Sequence, residues 1–161
     1  MDEQKRIRIL GGLLKRIDNF SPESFEESFD SRLIFQKTVY LLQAFGLYLG
    51  YRFAWYISGP YSTGLTRDGY RLVDKFEESP DVTLKKELLE ARFDEFLRFL
   101  GDRKNDAKWL ETLASIHFLK SLYLGKRDKE IMHMILEKQP YLTNEEFNKA
   151  LAYLEQFGLL G

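Results

Sequence analysis

Residues 33–61 constrain the fold more than any other part of the chain. The stretch opens as a nearly continuous apolar run, breaks at Gly46 and Gly50, alternates through aromatic positions and reaches a Gly59-Pro60-Tyr61-Ser62 turn. Over residues 38–66 the only charge is Arg52, so other elements must cover this segment unless it enters a membrane. Gly46, Gly50, Gly59, Pro60 and Gly64 interrupt any helix long enough to span a bilayer. A buried helix followed by a buried strand is expected instead, with no membrane span.

The helix is expected over residues 31–49, capped by Asp30 or Ser31. Its few polar positions, Arg32, Gln36, Lys37 and Gln43, leave it almost no solvent face, which places it at the centre of the domain. Next, Tyr51, Phe53, Trp55 and Ile57 alternate with Arg52, Ala54, Tyr56 and Ser58, a period of two rich in aromatics that predicts a strand near 51–57. A lone strand cannot satisfy its own backbone groups. Its partner is expected to be residues 81–84, Asp81-Val82-Thr83-Leu84, or a strand supplied by another protein.

The remaining segments read as amphipathic helices. Ile7, Leu10, Leu13, Leu14 and Ile17 form a stripe over one helix, residues 3–18. Ser21-Pro22-Glu23 starts a short helix whose Phe25 and Phe29 should face the core. Helices are expected over 63–78, with Ser62 as cap, and over 84–100, with Leu84 and Leu88 inward and Gly101 closing it. A further helix is capped by Asn105, another opens at Asp128, and the last starts with a Thr143/Glu146 capping box. No linker or repeat divides the chain. The fold class is mainly α, a single domain over residues 1–161 of about seven or eight helices with a minor β element, and a chain of this length can bury roughly 70% of its unfolded surface.

Few reactive groups are on offer. The chain has no cysteine, which excludes disulfides, thiolate nucleophiles and cysteine-based metal centres. Its two histidines, His117 and His133, lie in expected helices, and Glu130/His133 is a single pair where a di-iron carboxylate bundle needs two. Ser62 follows Gly-Pro-Tyr and so is no nucleophile elbow, and no glycine pattern forms a phosphate loop. These patterns predict no catalytic residues, no metal and no cofactor. The first residues carry no signal-peptide core, so the cytoplasm is the expected compartment.

Nucleic acid is a weaker expectation. With 24 Lys and Arg against 25 Asp and Glu, the net charge is −1, and no bulk field draws phosphate. Residues 128–161 have the outline of a winged-helix core, but the second helix exposes one lysine, Lys149, against Glu145 and Glu155, and the chain ends where a wing begins. Lys5, Arg6, Arg8, Lys15 and Arg16, on the outer face of the first helix, are the better phosphate contacts.

One run also carries a resemblance. Phe35-Gln36-Lys37-Thr38-Val39-Tyr40-Leu41-Leu42-Gln43, followed by Phe53-Ala54-Trp55-Tyr56-Ile57-Ser58-Gly59-Pro60-Tyr61-Ser62 and Leu65, resembles the Panacea-domain (SocA-like) antitoxins and the YwgA-type uncharacterised proteins. Phe35 replaces the usual leucine, and Tyr61-Ser62 after Gly-Pro is closer to the YwgA-type group. The resemblance implies a non-enzymatic helical domain that binds another protein, antitoxin-like or adaptor-like, with Gln36, Lys37, Tyr40, Trp55, Gly59, Pro60 and Tyr61 as signature positions. A second copy of the chain is a further candidate partner. Lys37 is the odd member, because a buried unpaired ammonium costs several kcal/mol. It should meet a carbonyl or carboxylate near the Gly59-Pro60 turn.

Overall fold

The computed structural model describes residues 2–161, and among them are eight α-helices and one two-stranded antiparallel sheet. The fold is mainly α with a minor β element. In chain order the elements are α1 (Glu3–Ile17), α2 (Pro22–Glu27), α3 (Phe29–Ala44), β1 (Ala54–Tyr56), β2 (Gly59–Tyr61), α4 (Thr63–Val73), α5 (Glu87–Leu100), α6 (Ala107–Leu122), α7 (Asp128–Leu136) and α8 (Asn144–Gln156).

The centre is α3, where every residue from Leu33 to Leu42 is buried. Ser28 starts the helix, accepting from the Ser31 N–H at 3.2 Å, so the cap lies ahead of both Asp30 and Ser31. Its most extensive packing is against α6, which is buried from Trp109 to Ile116. Asp106 rather than Asn105 caps α6, through the Trp109 N–H at 3.1 Å. One hydrophobic cluster runs through all eight helices.

Gly11 and Gly12 lie inside α1, which runs unbroken as expected. A Cβ on Gly11 would lie 2.1 Å from Ser79 Oγ, and one on Gly12 would lie 2.1 Å from Val82 Cγ2, so the pair lets residues 79–82 cross the helix closely. That crossing segment is not a strand, which corrects the pairing expected for residues 81–84. The helix after Ser62 also ends early, at Val73, with a separate 3-10 turn at Phe76–Glu78.

Three further corrections concern apolar residues. Phe29 is 62% exposed, because α2 ends at Glu27 and the extended Ser28 puts Phe29 in the first turn of the next helix, so it no longer lies one turn along from Phe25. Leu88 is 74% exposed, since α5 begins only at Glu87 and Glu90 Oε1 holds the Leu84 N–H at 2.7 Å ahead of it. The strand near 51–57 shrinks to residues 54–56. Gln43 explains this, because its side-chain amide accepts from the Leu49 and Tyr51 N–H groups and donates to the Tyr51 carbonyl, each at 3.1 Å. Backbone so engaged cannot join a ladder.

Candidate functional site

The strand finds its partner next door in sequence. Ala54 pairs with Tyr61, Trp55 with Pro60 and Tyr56 with Gly59, so Ile57 and Ser58 form the turn and Gly59-Pro60 belongs to β2. Pro60 has no N–H, and antiparallel ladders alternate hydrogen-bonded and non-hydrogen-bonded pairs. Trp55–Pro60 is therefore the non-bonded pair, and the Pro60 carbonyl points away from β1 towards α3.

Side chains of α3 complete that second edge. Lys37 Nζ donates to the Pro60 carbonyl at 2.5 Å. Gln36 donates to the Ser62 carbonyl and accepts from the Ser62 N–H, both at 2.9 Å. Two adjacent helix residues thus stand where a third strand would hydrogen-bond. Lys37 meets the carbonyl that its burial demanded, at 1% exposure.

Gly59, Tyr40, Trp55 and Tyr61 fasten the hairpin. Gly59 has φ +89°, and a Cβ there would lie 2.4 Å from Ser115 Oγ of α6, so only glycine lets β2 sit this close. Tyr40 shares a hydrogen bond of 2.7 Å with His117 Nδ1 and meets Phe53 edge-on. Trp55 stacks on Phe118 with centroids 6.0 Å apart. Thr66 Oγ1 donates to the Tyr61 hydroxyl at 2.5 Å, and Tyr61 packs edge-on against Tyr56.

Beside this clamp opens a cavity of about 300 Å³. Phe29, Arg32, Leu33, Gln36 and Lys37 fall at helical spacings and form one wall, running from exposed Phe29 down to buried Lys37. The facing wall is the hairpin, with Tyr56, Ile57, Ser58 and Tyr61. Thr66 and Tyr70 of α4 close one side, and Phe25 and Phe35 make the floor. Ile57, expected in the strand, lies at the turn and is 78% exposed, and Phe29, Tyr56 and Tyr70 share the rim. The rim escaped the sequence reading because apolar periodicity marks a face without saying whether protein or a cleft lies against it.

Burial dominates the electrostatics. It pulls the Lys37 ammonium down to about 8, against the attraction of Glu111 on α6. It also raises Glu111, opposed by a hydrogen bond from Gln139 and by Lys37. His117 is lowered and Tyr40 raised for the same reason. Lys37 spends one of its three N–H donors on Pro60, and Arg32 spends one nitrogen on the Phe25 and Glu26 carbonyls, at 2.8 and 3.2 Å.

The basic residues of α1 divide. Arg6 donates to Asp68 at 2.9 Å, Arg16 forms a two-point pair with Glu90, and Lys15 donates to the Glu77 and Ser79 carbonyls, which leaves Lys5 and Arg8 exposed. In α8, Lys149 is exposed with Glu145 and Glu155. The sheet among the described residues is the β1–β2 hairpin, and no strand follows α8 there. Among the described residues no group of three or more His, Asp or Glu is placed to hold a metal, and no helix is long and apolar enough to cross a membrane. Compared with known proteins, the chain matches no family model, no curated protein and no solved structure.

Proposed function

We infer that this chain is a non-enzymatic, protein-binding regulatory module of the cytoplasm, antitoxin-like or adaptor-like, that holds its partner at the rim beside the hairpin. The observation that carries this reading is the ring of exposed apolar side chains around one cavity: Phe29 at 62%, Tyr56 at 48%, Ile57 at 78% and Tyr70 at 48%. Exposed apolar surface that clusters is a mark of interaction sites, whereas scattered apolar residues need no such account. The resemblance to Panacea-domain and YwgA-type proteins agrees with it, since all seven signature positions lie in the clamp beneath this rim.

The test is purification of the tagged chain from the cells that encode it, alongside the Phe29→Asp and Ile57→Asp variants. A protein retained stoichiometrically by the wild type and lost by both variants, with their folding intact by circular dichroism, is the expected result. Recovery of no such protein, or its retention by both variants, overturns the reading. Tight binding of a labelled duplex in its place would move the function to nucleic acid.

A further inference from the structure

The cavity beside the hairpin has a charge pattern that its apolar rim does not explain. Two cations, Arg32 and Lys37, line it, and among the described residues no acidic one does. Both have donors to spare. Lys37, at 1% exposure, has one acceptor for three N–H groups, and the Nε and Nη2 of Arg32 have no acceptor among the described residues. Phe25 and Phe35 give the same cavity an aromatic floor. Such a site complements a ligand with an apolar body and one carboxylate, because an unmet donor in a mostly apolar cleft gains most from a charged acceptor.

We propose that the cavity receives the C-terminal residue of a partner protein, its apolar side chain on the Phe25–Phe35 floor and its α-carboxylate on Arg32 and Lys37. This rests on the protein-binding reading above and names the part of the partner that enters. The C-terminus is favoured over a free carboxylic acid because a ligand filling about 300 Å³ would leave Phe29 and Ile57 uncovered on the rim, whereas a chain leading out of the cavity passes over them. A single terminal side chain also suits a volume at the low end of ligand pockets.

The experiment uses the full chain and labelled hexapeptides ending in Phe, Tyr, Trp, Leu or Ile, each made once with a free carboxylate and once as the amide. Fluorescence anisotropy should show the best acid peptide binding about tenfold or more tighter than its amide, the factor carried by a charge-assisted hydrogen bond. Arg32→Gln should erase that preference, and Lys37→Met likewise if it folds by circular dichroism; Arg32→Gln decides the matter alone if it does not. Equal binding of acid and amide, absence of saturable binding by any acid peptide, or a preference that survives Arg32→Gln overturns the proposal. Binding of 3-phenylpropionate as tight as the best peptide reassigns the site to a free acid and overturns it too. A partner that needs Phe29 and Ile57 but ignores Arg32→Gln would defeat this proposal while leaving the protein-binding reading standing.

Discussion

Asp68 and Lys37 are both withdrawn from water, at 0% and 1% exposure, yet the chain treats them differently. Asp68 receives Arg6 Nε at 2.9 Å and the Tyr51 hydroxyl at 2.7 Å on one oxygen, and the Arg6 guanidinium lies over the Tyr51 ring at 5.1 Å. That arrangement ties α1, α4 and the loop before the hairpin into one sealed joint. Lys37 donates only to the Pro60 carbonyl, with Glu111 attracting it across the α3–α6 packing, and it borders a cavity. The first charge has its counterion at hydrogen-bonding distance, although its Oδ1 meets no partner among the described residues; the second has no counterion that close and keeps donors unspent beside a cavity. A counterion at hydrogen-bonding distance builds structure, and its absence beside a cleft leaves chemistry for binding.

Breaking the sealed joint should have the largest effect. Arg6→Met leaves Asp68 buried and without its cation, which costs about 3–5 kcal/mol for a pair of this kind. Urea denaturation at pH 7 measures it. A loss below about 1 kcal/mol would mean that Asp68 rehydrates, and the contrast with Lys37 would collapse.

Next comes the pH dependence of Lys37. Its folded-state value, about 8, lies below the ordinary 10.5, so between these values the unfolded chain binds more protons. Stability from this group therefore rises with pH through that window. Below 8 the full cost of burying the ammonium is present, and above 10.5 it is gone. The whole shift corresponds to about 3 kcal/mol. Subtracting the profile of Lys37→Met isolates it, because buried Tyr40 and Tyr51, both raised, titrate in both proteins and act in the opposite sense at higher pH. A flat difference between pH 8 and 10.5 would show that Lys37 is hydrated through the cavity.

These two charges also mark what was legible beforehand. An almost unbroken apolar run with so few polar positions required a buried helix, and a lysine inside it required an acceptor, so α3 and the Lys37–Pro60 contact followed from local residues. Asp68 could not be found that way, since Arg6 lies 62 positions away and no local spacing links them. Nothing local to Gly11 and Gly12 shows that residues 79–82 cross them closely. The strand was read too long for a related reason, as Gln43 takes the backbone of residues 49 and 51 from outside the alternating pattern. Phe29 and Ile57 fit their periodicities and still face outward. In each miss the deciding atom belongs to a distant segment or to empty space.

Gly59 sharpens the comparison, because it sets how closely the Pro60 carbonyl approaches Lys37. Gly50 has a similar φ, +92°, with nothing near the place of its Cβ, so Gly50→Ala reports backbone strain alone, about 1–2 kcal/mol. Gly59→Ala adds a collision with Ser115 Oγ and should cost about 1–3 kcal/mol more. Adding Ser115→Ala removes the colliding oxygen and should return the cost to that of Gly50→Ala. Thermal or urea unfolding of the three variants decides it, and equal costs for Gly50→Ala and Gly59→Ala would mean that the hairpin is not held against α6 by this contact.

The smallest effect on folding belongs to the rim. Phe29→Ser and Ile57→Ser remove side chains that are mostly in water already, 62% and 78% exposed, so each should change stability by no more than about 0.5 kcal/mol. Residues at Lys37's side of the comparison would then split cleanly. Gln36, Lys37 and Gly59 hold the hairpin, while Phe29 and Ile57 hold nothing within the chain. A loss of 2 kcal/mol or more from either serine variant would place it in the core instead, and the apolar ring around the cavity would no longer need a partner to account for it.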